Sequence, residues 1–365
     1  MFSRTNFRET PHCSAACDRL LLQKLFSIMA GLLSTHGPTL TAPASRAAAL
    51  DLIADDMREV DQVITTRLTS PVALVGDVAR YIISAGGKRL RPALLLLMSG
   101  ALGYRGKTHF LLAAVVEFIH TATLLHDDVV DASTLRRGLP TANENFGNPA
   151  SVLVGDFLYS RAFQMMVDSG NMRVMQVLAD ATNVIAEGEV QQLMNTHDAT
   201  LSESGYLEVI RSKTAKLFEA SARLAAILVN APEDMECACA AYGQSLGTAF
   251  QVIDDVLDYD GDAQEMGKNL GDDLREGKVT LPLILALQRG SDSEQALLRR
   301  AIESGCDDEL SAVLDIVHRT GALAMTRQAA AVQAQKAITA LAALPANEYT
   351  EVLLQLATQL LERRG

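Results

Sequence analysis

Two long apolar segments of this 365-residue chain end in the same way. EFIHTATLLHDDVVD, residues 117–131, closes on Asp127, Asp128 and Asp131. CACAAYGQSLGTAFQVIDDVLD, residues 237–258, closes on Asp254, Asp255 and Asp258. Residues four apart share a helix face, so Asp127 stands with Asp131, and Asp254 with Asp258. A helix carries partial negative charge at its C-terminus, where carboxylates are out of place. Burying them is costly unless a cation meets them. Two helices that break the rule alike are hard to explain as solvated faces. They predict a positive guest. Oxygen ligands of this kind suit magnesium, which keeps several waters and takes substrate phosphates as its other ligands.

The chain around these segments also reads as helix. Aromatics make up 5% of the residues, Trp is absent, and Ala and Leu are abundant, which favours helix over strand. Apolar periodicity predicts helices over residues 46–68, 71–84, 92–103, 107–131, 150–168, 171–195, 202–229, 232–259, 279–289, 293–304, 307–319, 321–343 and 347–363. No segment alternates convincingly with period two, so no strand is expected. Pro71, Pro92, Pro149, Pro232 and Pro282 fall at helix starts, where proline is tolerated. The expected architecture is all-α, a single large bundle of long helices. Residues 1–45 read as a poorly ordered N-terminal extension, with Met29 or Met57 as possible true starts, and residues 46–365 as the helical domain.

Several function classes are disfavoured. A net charge of −12 without a basic, aromatic-interleaved patch argues against nucleic acid. Five scattered cysteines (Cys13, Cys17, Cys237, Cys239, Cys306) suggest a reducing cytoplasm rather than a disulfide framework. His12, Cys13 and Cys17 lack the second ligand pair that a metal site needs. No wholly apolar run, Ala93 to Met98 among them, is long enough to span a bilayer, so no transmembrane segment is expected. Residues 20–33 resemble a signal core, but Gln23 and Lys24 interrupt it and no convincing cleavage site follows. Glu117 and His120 form an ExxH without the second copy that a di-iron bundle requires. The stretches after Asp258 and Gly271 fail as an EF-hand and as a P-loop. His126 is read as supporting the first acidic cluster, Met165 and Met166 as core, and Arg363–Arg364 as a frayed tail.

The cations sit beside the acids. Gly86-Gly87-Lys88-Arg89-Leu90-Arg91-Pro92 is a loop feeding a helix N-terminus, a natural phosphate site. Arg136 and Arg137 follow the first cluster, and Lys213-Thr214, Lys268 and Lys278 flank the second. GGKRLRP, LLHDDVVD with RRG after it, VGDFLYSRAF, SKTAKLFEA, FQVIDDVLDY and GKNLGDDLREGKVTLP, in that order, resemble the trans-isoprenyl diphosphate synthases, and EFIHTATLLHDDVVD and NVIAEGEVQQLMN are most similar to the octaprenyl diphosphate synthase branch. The resemblance runs from about residue 50 to 363, and only the N-terminal extension departs from it.

That resemblance implies an all-α bundle around a deep central cavity, a cytoplasmic homodimer, and condensation of isopentenyl diphosphate onto an allylic diphosphate. It implies that Asp127 and Asp131 hold two magnesium ions and Asp254 a third, with Asp128, Asp255 and Asp258 completing the catalytic motifs. Arg136, Lys213, Lys268 and Lys278 would serve the allylic diphosphate, with Thr214 and Gln251 near the developing cation. Lys88, Arg91, His120 and Arg137 would bind the diphosphate of isopentenyl diphosphate. Short-chain relatives tend to carry bulky aromatics one turn before the first motif. Here that turn offers Ala122 and Thr123, followed on the same line by Ile119, Val116 and Leu112, none aromatic. A long product of about forty carbons is expected, its tunnel floor formed by residues such as Met165, Met166 or Leu178 and its fate a quinone side chain. The competing readings are a shorter-chain synthase of about fifteen to twenty carbons, a class I terpene cyclase, against which the intact DDVLD argues, and a non-catalytic partner subunit, against which both intact acidic motifs argue. Deleting residues 1–45 is expected to leave activity largely intact, and loss of soluble protein or turnover in the truncated chain would show that the extension packs on the fold.

Overall fold

The computed structural model describes residues 51–260, 270–305 and 307–362. The helices, in order, are α1 (Ala54–Arg67), α2 (Ala73–Ser84), α3 (Leu90–Ala101) and α4 (Thr108–Val130). After a two-residue strand pair, β1 (Leu135–Arg136) and β2 (Leu139–Pro140), come α5 (Ala142–Phe146), α6 (Asn148–Asp168), α7 (Met172–Met194) and α8 (Glu203–Ile210). A π-helical turn, Arg211–Ala215, leads into α9 (Lys216–Leu228) and then α10 (Glu233–Asp260). The chain closes with α11 (Asp272–Arg275), α12 (Leu281–Arg289), α13 (Asp292–Ser304), α14 (Leu310–Arg319), α15 (Ala322–Ala340) and α16 (Glu348–Gln359). The all-α expectation holds.

The two acid-tipped helices lie inside the bundle. α4 packs against α1, α3, α6 and α9, and α10 against α9 and α15. By length and composition α4 could cross a membrane, but 61% of its most apolar stretch is buried inside the protein, which makes it a core helix. Leu112, Val115, Val116, Phe118, Ile119, Ala122 and Leu125 of α4 are all fully buried. The start of α6 is pinned to the end of α4 where Ser151 Oγ donates to the Leu125 carbonyl at 2.9 Å. On α10, Glu236 is buried and accepts hydrogen bonds from Arg173 of α7 and Arg223 of α9, and Tyr242 donates to the Leu353 carbonyl of α16 at 2.7 Å.

The architecture differs from the sequence expectation in four places. The strand pair was not expected, because two residues are too few to show an alternating pattern. Leu135 pairs with Pro140 and Arg136 with Leu139, and the connecting Arg137 and Gly138 have φ of 54° and 76°. Two left-handed residues in succession match the twist of a tight hairpin. The helix expected over 202–229 is broken by the π turn at Arg211–Ala215. The short α5 and the short α11 lie in stretches read as loop, and the expected helix start at residue 46 lies outside the described residues.

Helices α9 and α10 approach each other closely at Gly243. A Cβ on Gly243 would lie 2.8 Å from the Phe218 carbonyl carbon and 2.9 Å from Glu219 Cα, both backbone atoms that cannot swing away. Gly243→Ala is therefore expected to destabilise the protein by about 1–3 kcal/mol through overpacking, measured as a lowered thermal midpoint; an unchanged midpoint would show that α9 and α10 can part freely.

Candidate active site

Two lysine bridges join the acidic helix ends. Lys213 sits in the π turn, with Nζ 2.5 Å from Glu189 Oε2 on α7 and 3.7 Å from Asp127 Oδ2 on α4. The adjacent Thr214 donates to Gln251 Oε1 at 3.0 Å, and Gln251 Nε2 donates to Asp255 Oδ1 at 2.8 Å on α10. The two residues of one π turn thus reach both motifs. π turns inside helices occur often at functional sites, because the extra residue redirects side chains.

The second bridge runs through the loop after α10. The Gly271 amide donates to the Asp258 carbonyl at 2.9 Å, and the Asp273 amide to Asp258 Oδ2 at 3.2 Å. That anchor carries Lys278, whose Nζ lies 2.7 Å from Asp131 Oδ2 and 2.6 Å from Glu276 Oε2. Burial pulls the Lys278 ammonium down, but Glu276, Asp131 and Asp273 more than reverse this and hold it above the ordinary lysine range.

Each motif divides its carboxylates between two tasks. Asp128 is fully buried and takes both Nε (2.9 Å) and Nη2 (2.6 Å) of Arg136 on one oxygen, so it fixes that arginine rather than facing outward with Asp127 and Asp131. Asp255 is 2% exposed and is held by Gln251 and by the Tyr206 hydroxyl at 2.5 Å. Burial and the nearby Asp273 push its carboxyl up to about 8. Asp258 anchors the following loop, while Asp254 is only partly buried. Asp127 is raised above its ordinary range, by burial first and also by Asp131, with Lys213, Lys278 and Arg136 opposing.

A second, basic group gathers around Glu117. The Arg89 guanidinium lies 3.6 Å from its carboxylate, and Arg91 and Arg137 also act on it electrostatically. Burial nonetheless raises the Glu117 carboxyl. The ExxH is thus an arginine holder, not half of a di-iron site. Arg137 projects from the hairpin turn onto the GGKRLRP loop, where a Cβ on Gly87 would be 3.0 Å from its Nη1. Glycine there lets the two basic segments touch. His120 is kept neutral, by burial first and then by Arg91, Arg136 and Arg137. Burial pulls Arg91 down to about 10, with Glu117 opposing. Lys88 is exposed at the mouth of the same loop.

The sequence model of the polyprenyl synthetase family matches residues 72–317. The octaprenyl diphosphate synthase of Escherichia coli (strain K12) is 51% identical over 308 residues, 84% of this chain and 95% of that protein. The chain belongs to the polyprenyl synthetase family. It is a prenyltransferase. The all-trans-nonaprenyl-diphosphate synthase (geranyl-diphosphate specific) of Rhodobacter capsulatus is 45% identical over 312 residues, covering 85% of this chain and 96% of its own length. The crystal structure of a polyprenyl synthase from Caulobacter crescentus CB15, complexed with calcium and isoprenyl diphosphate, superposes with a TM-score of 0.86 at 44% identity, covering 89% of this chain and all of that one.

In this polyprenyl synthetase the donor chemistry fits a hard divalent cation. Asp127 and Asp131 are carboxylates on one helix face, and desolvation leaves the charged form of Asp127 under-compensated despite the neighbouring lysine. Among the described residues no ready-made cage of three ligands is assembled, because Asp131 and Asp127 are met by Lys278 and Lys213. Lys268, Cys13, Cys17, Cys306 and Arg363–Arg364 lie outside the described residues. His126 turns its Nε2 to α6, 3.2 Å from the Val152 carbonyl oxygen and 3.3 Å from Asp156.

Sequence reasoning missed the acids that hold the lysines, Glu189 and Glu276, as well as Tyr206 and Asp273. Glu189 left a trace: it continues the buried stripe Leu178, Ala181, Ile185 of α7 one turn on, where a carboxylate is unusual. Burial, with Asp127 adding to it, pushes its carboxyl from 4.5 up to about 7, against the pull of Lys213. The folded chain therefore binds more protons there than the unfolded chain between those values. Its contribution to stability is full below pH 4.5 and is lost as pH rises through about 7. Glu189→Gln is expected to flatten that decline by roughly 1–3 kcal/mol, read from denaturant titrations on either side of the window; equal slopes in both proteins would show that another group titrates.

Proposed function

We propose that this chain extends an allylic diphosphate with successive isopentenyl diphosphate units to an all-trans octaprenyl diphosphate. The observation that carries the reading is that consecutive residues Arg136 and Arg137 belong to two charge clusters, Arg136 paired with Asp128 at the first acidic helix end and Arg137 acting with Arg89 and Arg91 on Glu117, which supports two adjoining anion sites. Two diphosphates side by side are what a condensation of this kind needs. Magnesium, three ions in the family pattern, would be held by Asp127, Asp131 and Asp254 and would supply Lewis-acid stabilisation of the departing diphosphate. Lys213, Arg136, Lys268 and Lys278 bind and orient the allylic diphosphate, and Asp128 and Glu189 hold two of those cations in place. Thr214 and Gln251 present polar oxygens toward the developing allylic charge. Lys88, Arg91, His120 and Arg137 take the diphosphate of isopentenyl diphosphate. Its double bond then attacks the allylic carbon and a proton passes to the released diphosphate. The chain's own part is positioning and electrostatic stabilisation.

Ala122, fully buried, and the half-buried Thr123 leave the turn below the acids without an aromatic plug, which supports a long product. Met165, Met166 and Leu178 are fully buried and are the proposed floor. Exposed Leu153 and Val167 on α6 with Met172, Val190, Leu193 and Met194 on α7 support pairing with a second copy, in a cytoplasmic homodimer that feeds quinone side-chain synthesis.

The test is the purified chain alone with magnesium, an allylic primer and labelled isopentenyl diphosphate, followed by chromatography of the dephosphorylated product. A product of about forty carbons is expected, one of fifteen to twenty would favour the shorter-chain reading, and none would favour a partner subunit. Ala122→Phe is expected to cut the product to about fifteen or twenty carbons with the first condensation retained. If the ring only overpacks, at a cost of about 1–3 kcal/mol, product length stays the same.

A further inference from the structure

Arg136 and Arg91 are seated in opposite ways. Arg136 gives Nε and Nη2 to Asp128, so part of its hydrogen-bonding edge is spent on the protein. Arg91 rises from the first turn of α3, and its Cζ sits 4.5 Å above the centroid of the Phe218 ring of α9. Its Nε is buried and has no hydrogen-bond partner among the described residues. An aromatic face attracts a guanidinium through the ring quadrupole and fixes its position, yet takes none of its N–H groups. A carboxylate seat would hold it as firmly but would neutralise the charge and occupy donors that a diphosphate needs.

The ring that does this is itself immobile. Phe218 is 1% exposed, and Phe250 of α10 lies against it with centroids 5.7 Å apart. Behind it α10 comes so close that a Cβ on Gly247 would lie 3.0 Å from both Cβ and Cδ2 of Phe218. No smaller or mobile side chain could offer the same flat, fixed surface in the contact between α3 and α9.

We propose that Phe218 is a positioning residue that holds the Arg91 guanidinium, with its N–H edge unspent, for the diphosphate of isopentenyl diphosphate. This rests on the reading of Arg91 as a ligand of that diphosphate. Phe218→Leu and Phe218→Met keep an apolar filler and remove the π face. Each is expected to raise the KM for isopentenyl diphosphate about five- to thirty-fold, the range a partly desolvated cation–π contact spans, while the KM for the allylic primer stays within about twofold. Phe218→Tyr, which keeps the ring, is expected to restore the wild-type KM. Arg91→Ala alone is expected to raise the same KM, and in that background Phe218→Leu is expected to add nothing. If Arg91→Ala leaves the isopentenyl diphosphate KM unchanged, the reading of Arg91 is wrong and the proposal goes with it. If Arg91→Ala raises it but the Phe218 variants do not, or if they raise both KM values alike or act additively with Arg91→Ala, Arg91 keeps its role and Phe218 is only a packing residue. Measuring all variants on the folded, soluble fraction, with thermal midpoints alongside, keeps a loss of stability from being read as a loss of positioning.

Discussion

Everything at this centre follows from negative charge placed where helices least tolerate it. α4 and α10 each deliver carboxylates to a C-terminal end that is already partly negative and largely shielded from water. Neither end would be stable without imported positive charge. The protein supplies some of it from Lys213 and Lys278, each of which is in turn held by a glutamate, Glu189 or Glu276. The result is an alternation of acids and bases rather than a neutral pairing, with Asp127 still raised and able to accept more cation charge.

The basic side obeys the complementary logic. Crowding Arg89, Arg91 and Arg137 together would repel, and Glu117, with Asp61 on Arg89, makes the group tolerable without cancelling it. The two groups meet at consecutive residues, Arg136 paired with Asp128 and Arg137 acting on Glu117. Under the proposed function a divalent cation and a diphosphate would complete both offsets.

The parts of this design that were legible in the sequence are those carried by period and position. Long apolar repeats marked the helices to within a few residues, and the position of Asp127 and Asp254 at their ends was visible because it contradicts the helix dipole. What the sequence hid are choices made by direction. Asp127 and Asp128 are neighbours of one type, but a helix turns successive residues by about 100°, so one faces the site and the other is buried on Arg136. Glu189 was hidden because Lys213 comes from a distant segment, Glu117 stood out only as half of an ExxH because its arginine partners lie elsewhere in the chain, and Glu276 read as an ordinary loop acid although Lys278 is two residues on. The hairpin at residues 135–140 was too short to announce itself, although its two left-handed residues aim Arg137.

The π turn at Arg211–Ala215 has a consequence for how this chain can change over evolutionary time. A π turn is in effect one residue inserted into a helix whose flanks keep their ordinary pitch. Deleting any one residue there would close the turn to regular α geometry with the flanking helices little rotated, because the bulge absorbs the extra residue locally. α9 would keep Leu217, Phe218 and Leu224 in the core they fill. The loss would fall on the bulge itself, where Lys213 and Thr214 would no longer be aimed at both acidic motifs. Its length is as much a part of the site as the identity of those two residues.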